Sequence, residues 1–258
     1  MGLTVVPVSV VINARTYRDY EEITSAAFLE RIAAGGVPSS SQPSIGDVLE
    51  VFGRYEDELL FLTVGDGLSG AYQTAVGARN CAEDPARIHV VDSGTLAGPL
   101  RYLTQKALAL QAQGCSAAET AAALEESIRS SVSFVIPADF EFLKRSGRLT
   151  PLAAKLGSKL RLLPVLTQTE DKKRIAPVGV RRSWGAAVEA VLRRLQARGI
   201  DEQWLISVCH AGAPERAATV RAQVAAQYPA TEIEVLELSP ALITHGGPGC
   251  IVVQAVKK

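Results

Sequence analysis

Two periods of hydrophobic spacing, one near 2 and one near 3.6, alternate along this chain, and the switches between them outline its elements. Valine is dense from Thr4 to Ile12, which predicts a strand. Asn13-Ala14-Arg15 then predicts a turn and Thr16-Tyr17 a short extended return. Phe28, Leu29 and Ile32 fall at helical spacing after Thr24, and Gly35-Gly36 stops that helix. The run Pro38-Ser39-Ser40-Ser41-Gln42-Pro43-Ser44 is extended before Pro43 and caps a helix at Ser44, with Asp47 in the acidic first turn. Phe61 to Val64 reads as a buried strand, Gly65-Asp66-Gly67 as a turn, and a helix opens near Ser69. Ile88 to Val91 is the next strand and ends in Asp92-Ser93-Gly94-Thr95. Two alanine-rich helices follow, Leu96 to Ala112 and Ser116 to Arg129, with Gly114 between them and a Ser116/Glu119 capping box.

Val132 to Ile136 predicts a strand that leads into a helix from Phe140, broken at Gly147. Near Pro151 the pattern changes. Strands are expected at Leu160 to Leu166 and Ile175 to Val180, joined by the charged hairpin Glu170-Asp171-Lys172-Lys173-Arg174. A helix from Trp184 to Arg198, a strand at Leu205 to Cys209, a helix from Glu215 to Tyr228 and strands at Glu232 to Leu238 and Cys250 to Val256 complete the chain. Ile243 to Gly249 reads as a glycine-rich loop around one histidine. The predicted class is α/β in two domains. Residues 1–150 are expected to hold a mostly parallel sheet flanked by helices, and residues 151–258 a smaller α/β domain.

Composition narrows the function classes. With 258 residues, 47% hydrophobic and 21% charged, the chain has ample material for a packed interior. Lys+Arg and Asp+Glu both number 27, so no net charge draws it to nucleic acid or anionic lipid. Cys81, Cys115, Cys209 and Cys250 form no CxxC pair, and His89, His210 and His245 lie far apart. A reduced, metal-free, cytoplasmic protein is the expectation. Met1 to Ile12 is too short to span a bilayer, lacks a cationic leader and contains Pro7, and no other apolar run reaches about 18 residues. No transmembrane segment is expected.

Candidate chemistry clusters at four places. Two roles are open to Ser69: it caps its helix, or its hydroxyl stands beside the unpaired N–H groups of the first turn and helps to hold an anion. Ser39 to Ser44 is either a linker with a cap or a set of hydroxyl and amide donors to one ligand. Lys144, Arg145 and Arg148 form either a solvated basic face or, at Arg148, a fork of donors suited to a planar carboxylate or phosphate. His245 is either a structural histidine or an imidazole displayed by its glycine-rich surroundings.

The motifs themselves resemble those of the DegV family of bacterial fatty-acid-binding proteins over nearly the whole length. Ser40-Ser41-Gln42-Pro43-Ser44 is similar to the family's TSQPS, Leu68-Ser69-Gly70-Ala71-Tyr72-Gln73 to its LSGTYQ and Val91-Asp92-Ser93 to its IDS. Leu143 to Leu149 is similar to its LRKGGRI, and Thr244-His245-Gly246-Gly247-Pro248-Gly249 to its THTGPG. The resemblance implies a two-domain α/β protein that holds one fatty acid in a tunnel between or beside the domains. Ser40 and Ser69 would then bond the carboxylate, with His245 and Arg148 beside it. It implies no catalytic residue and no cofactor, only the fatty acid as ligand. In relatives that serve fatty-acid kinases, the acyl carboxylate is presented to a separate ATP-dependent kinase subunit, and Arg181 or Arg182 stands where they have an arginine implicated in that contact.

Three departures from the family pattern stand out. The chain begins at what resembles the family's second strand, which leaves one sheet edge and part of the head-group pocket unaccounted for. Ser40 replaces the usual threonine, and Gly65-Asp66 replaces the usual serine pair, which puts a carboxylate near the expected carboxylate site. Two other classes compete with this reading. A serine hydrolase would use Ser69 as nucleophile and His245 as base, but Gly67-Leu68-Ser69-Gly70 lacks the full G-x-S-x-G spacing and no triad acid is evident. A DegV-like binder of another lipid is the second. No nucleotide-binding glycine motif follows any strand.

Overall fold

The computed structural model describes residues 2–155 and 162–258. Its elements run β1 (Ser9–Ile12), β2 (Arg15–Arg18), α1 (Ser25–Ala33), β3 (Ser39–Ser41), α2 (Ile45–Gly53), β4 (Leu59–Thr63), α3 (Ala71–Cys81) and β5 (Ile88–Asp92). They continue α4 (Ala97–Ala112), α5 (Ala117–Ser130), β6 (Val132–Ile136), α6 (Phe140–Arg145), α7 (Pro151–Ala154), β7 (Leu163–Gln168) and β8 (Ile175–Arg181). The last are α8 (Trp184–Ala197), β9 (Trp204–His210), α9 (Pro214–Gln227), β10 (Glu232–Glu237), α10 (Pro240–Gly246) and β11 (Ile251–Lys257).

The local signals explain where most helices begin. Ser44 and Asp47 form a reciprocal capping box on α2, and Ser116 and Glu119 do the same on α5. Thr24 caps α1 by accepting from Ala27 N at 3.3 Å. The strand expected from Thr4 is shorter than its valines suggest: pairing starts at Ser9, and Leu3 and Val5 are exposed. Pro7, which has no N–H to give a ladder, lies just before it. Of the strand expected at Leu160 to Leu166, Leu160 and Arg161 lie outside the described residues, and β7 begins at Leu163.

The dominant layer is a six-stranded sheet in the order β10-β9-β11-β6-β7-β8. β9 and β10 are parallel, while β11 pairs antiparallel with both β9 and β6. The sheet crosses the boundary expected near Pro151, because β6 precedes that residue and pairs with β7 and β11 beyond it. Every residue of β9 is buried, which fits its continuous run of mostly apolar residues rather than an alternation. Helices α8 and α9 cover one face through Val188, Val191, Leu195, Val220 and Val224. Elsewhere β4 and β5 pair in parallel, and β2-β1-β3 form a small antiparallel sheet. This small sheet packs with α1 and α10 through Val10, Ile12, Phe28 and Ile243. That contact carries β3 to the side of α10, although the two are far apart in sequence.

Three buried polar residues lie side by side in the centre of the large sheet, with Gln254 opposite Ser207 of β9 and Ser133 of β6. Gln254 on β11 is fully buried, and its amide is saturated: Oε1 accepts from Gly98 N at 3.1 Å, and Nε2 donates to Leu96 O at 3.0 Å and Ser133 Oγ at 2.7 Å. The start of α4 is thereby tied to two strands of the sheet. A buried amide is tolerated because every partner is supplied.

Candidate functional site

Each site residue is set by a local feature. The Ser39–Ser41 strand pairs with β1, Ser40 opposite Val10. At the end of β4, Gly65-Asp66-Gly67 turns the chain so that Leu68 and Ser69 precede α3. Gly67 is required there twice over. Its φ is +83°, and a Cβ would lie 2.7 Å from Lys173 Cα. Arg148 follows the Gly147 turn after α6, as the glycine predicts. His245 differs from expectation, for it lies in the last turn of α10 rather than in an irregular loop. Ser239 caps that helix and Pro240 occupies its first turn, a start signal that the glycines downstream masked.

These four residues meet as two linked pairs. Ser40 Oγ and His245 Nε2 are hydrogen-bonded at 2.8 Å across 205 residues of sequence. Ser69 and Arg148 both line a cavity of about 240 Å³, together with Asp66, Gly67, Leu68 and Gly70. The pairs are joined in two ways. Burial, and then the positive charge of Arg148, hold the His245 imidazole down at about 4, so Arg148 is close enough to act on it and the ring is neutral at pH 7. Gln42, two residues from Ser40, lies against Gly70, with its Nε2 2.8 Å from where a Cβ would stand.

The hydrogen-bond accounting shows what the groups can still do. Ser69 does not cap α3, whose N-cap is Gly70; its Oγ accepts from Ala71 N at 3.2 Å, which leaves the O–H free to donate. If the neutral His245 donates Nε2–H to Ser40, the Ser40 O–H is free in the same way. Arg148 donates Nε to Leu68 O at 3.0 Å and Nη1 to Ser146 O, and burial lowers its pKa. Its remaining N–H groups can serve the cavity. Arg148 thus separates from its basic neighbours, since Arg145 stacks on Phe142 at 4.6 Å and Lys144 pairs with Glu141 at 3.9 Å.

Asp66 turns toward Lys173 Nζ and Gln73 Nε2, both at 3.3 Å. Lys173 and Gln42 belong to the site's surroundings; in the sequence, Lys173 stands out only as part of a charged hairpin and Gln42 only as part of a dense polar run. Arg181 and Arg182 lie at the end of β8, with Arg182 exposed and Arg181 donating Nη1 to Val180 O at 2.9 Å. A larger groove of about 570 Å³ runs between β5 and α5, and none of the four site residues lines it. The Ser69/His245 pairing of a hydrolase is not formed: His245 Nε2 is bonded to Ser40, and among the described residues no carboxylate bonds the ring. Among the described residues, no group of acidic, histidine or cysteine side chains is arranged to hold a metal ion. No described helix is long and apolar enough to cross a membrane.

Fold and site together define a mixed α/β protein with a small cavity onto which Ser69, Arg148 and Asp66 converge. The model of the family described as "Uncharacterised protein, DegV family" matches residues 1–258, and the chain belongs to the DegV family. A DegV domain-containing protein, YteA of Lactococcus lactis subsp. lactis (strain IL1403), is 28% identical over 264 residues, covering 99% of this chain and 91% of its own. Among solved structures, a DegV family protein from Thermus thermophilus described by its fatty acid binding superposes with a TM-score of 0.88 at 31% identity, over 98% of this chain and 91% of that one. DegV from Bacillus subtilis, described as a fatty acid binding protein, gives 0.85 at 26% identity, with 98% and 91% covered.

Proposed function

We propose that this chain holds a long-chain fatty acid whose carboxylate is bound by Ser40, Ser69, Arg148 and His245. The observation that carries the reading is the convergence of these residues from four distant segments: a Ser40–His245 bond, a cavity shared by Ser69 and Arg148, and the electrostatic link from Arg148 to His245. The fatty-acid binding described for the Thermus thermophilus and Bacillus subtilis relatives supports it.

The energetics divide between tail and head. Burying roughly fourteen methylenes at about 0.8 kcal/mol each yields about 11 kcal/mol, against association costs of order 4 to 15 kcal/mol. Tail burial is therefore needed for affinity, while the head group must avoid a desolvation loss of several kcal/mol. Two hydroxyl donors and a guanidinium are suited to that task, and a neutral imidazole can orient one hydroxyl. The carboxylate is then presented, with Arg181 and Arg182 on the contacting face, to an ATP-dependent fatty-acid kinase subunit for acyl-phosphate formation. The protein itself transfers no phosphoryl group.

Mass spectrometry of an organic extract of the purified protein tests the binding step. A fatty acid at one equivalent is expected, with reduced retention in Ser69→Ala; an empty preparation that also refuses added oleate refutes it. Acyl-phosphate formation with a kinase subunit, weakened by Arg181→Ala or Arg182→Ala while oleate binding persists, tests the second step.

A further inference from the structure

The proposed anion site carries a carboxylate of its own. Asp66 lines the cavity, and an ionised ligand brought beside it meets a like charge. Its nearest countercharge is Lys173, with Nζ 3.3 Å from Asp66 Oδ2. Lys173 is delivered by the turn between β7 and β8, which is held locally: Lys173 N donates to Asp171 Oδ1 at 3.0 Å, and its main chain lies flush against Gly67. Other charges nearby do not substitute for it. Asp92 adds negative charge, with Oδ1 accepting from Asp66 N at 3.0 Å and Gly94 N at 2.9 Å. Lys172 is committed elsewhere, its Nζ donating to Ile128 O and Ser131 Oγ. Arg148 lines the same cavity but gives Nε and Nη1 to Leu68 O and Ser146 O, and no hydrogen bond joins it to Asp66.

We propose that Lys173 is a positioning residue that makes the cavity accept an anionic head group. By drawing the Asp66 carboxylate to itself and balancing its charge, it removes the repulsion that Asp66 would otherwise impose on a ligand carboxylate. The inference rests on reading the cavity as a carboxylate site. The Lys173 side chain is 59% exposed and that of Asp66 16%, so the pair adds little to fold stability and its effect falls on discrimination between charged and neutral ligands.

The test measures binding of oleate and of oleyl alcohol to the delipidated full chain. Lys173→Gln is expected to weaken oleate roughly three- to tenfold, the range for a partly exposed charge, and to leave oleyl alcohol unchanged. Lys173→Arg should retain oleate affinity, and Asp66→Asn placed in Lys173→Gln should restore it. Equal weakening of both probes, no change for oleate, or failure of Asp66→Asn to restore affinity overturns the inference. A wild-type chain that binds neither probe overturns the fatty-acid reading and this inference with it; wild-type binding of oleate with an unaffected Lys173→Gln variant overturns this inference alone.

Discussion

Acidification should expose the cost of the buried imidazole. His245 takes its ordinary value of 6.5 in the unfolded chain and about 4 in the folded protein, lowered first by burial and then by Arg148. Between those values the unfolded chain binds a proton that the folded chain refuses. Stability contributed by the neutral ring is therefore complete above about pH 6.5, falls as the pH drops, and levels off below about pH 4. At about 1.4 kcal/mol per tenfold change the whole difference is about 3 kcal/mol, roughly half of it lost by about pH 5.2. Urea unfolding followed by circular dichroism at several pH values between 7 and 4 measures this, with His245→Gln as the reference because an amide can bond Ser40 but does not titrate. Asp19, whose pKa is raised by burial, titrates in both proteins and cancels in the difference. The stability of wild type relative to the variant should shrink by about 3 kcal/mol across the range. With three histidines in the chain, side-chain nitrogen spectra can follow the ring directly, and His245 should remain neutral at pH 5. Parallel stability curves, or a ring that protonates near 6.5, would refute the claim that burial and Arg148 govern it.

Two further substitutions probe the frame around the site. Gly67→Ala meets both an unfavourable φ of +83° and the Lys173 backbone at 2.7 Å, so a loss of at least about 2 kcal/mol is expected in chemical denaturation, and a variant as stable as wild type would show that this turn is not constrained. Gln254→Leu strands Gly98 N, Leu96 O and Ser133 Oγ in the interior of the large sheet, which should cost about 3 kcal/mol or more; an unchanged thermal midpoint would contradict the role given to this amide.

Much of the framework is legible in local sequence because its causes are local. The capping boxes at Ser44 and Ser116 need only side chains three residues apart. The apolar run of β9 announces a strand buried on both faces. Helix α10 was hidden because the glycines after it outweighed the Ser239-Pro240 start, and the division near Pro151 reflects a change of pattern, whereas sheet membership depends on which edges pair.

What the chain by itself determined was the residue types and the turns that place Ser69 just before α3 and Arg148 just after α6. Tertiary structure decided which of these side chains meet. Ser40 finds His245 only when β3 is carried to α10, the imidazole's affinity for a proton falls when surrounding packing removes water, and Asp66 meets Lys173 because a hairpin 107 residues away is folded against its turn. Desolvation and Coulomb interactions depend on distance in space rather than along the chain, so no local pattern could encode them.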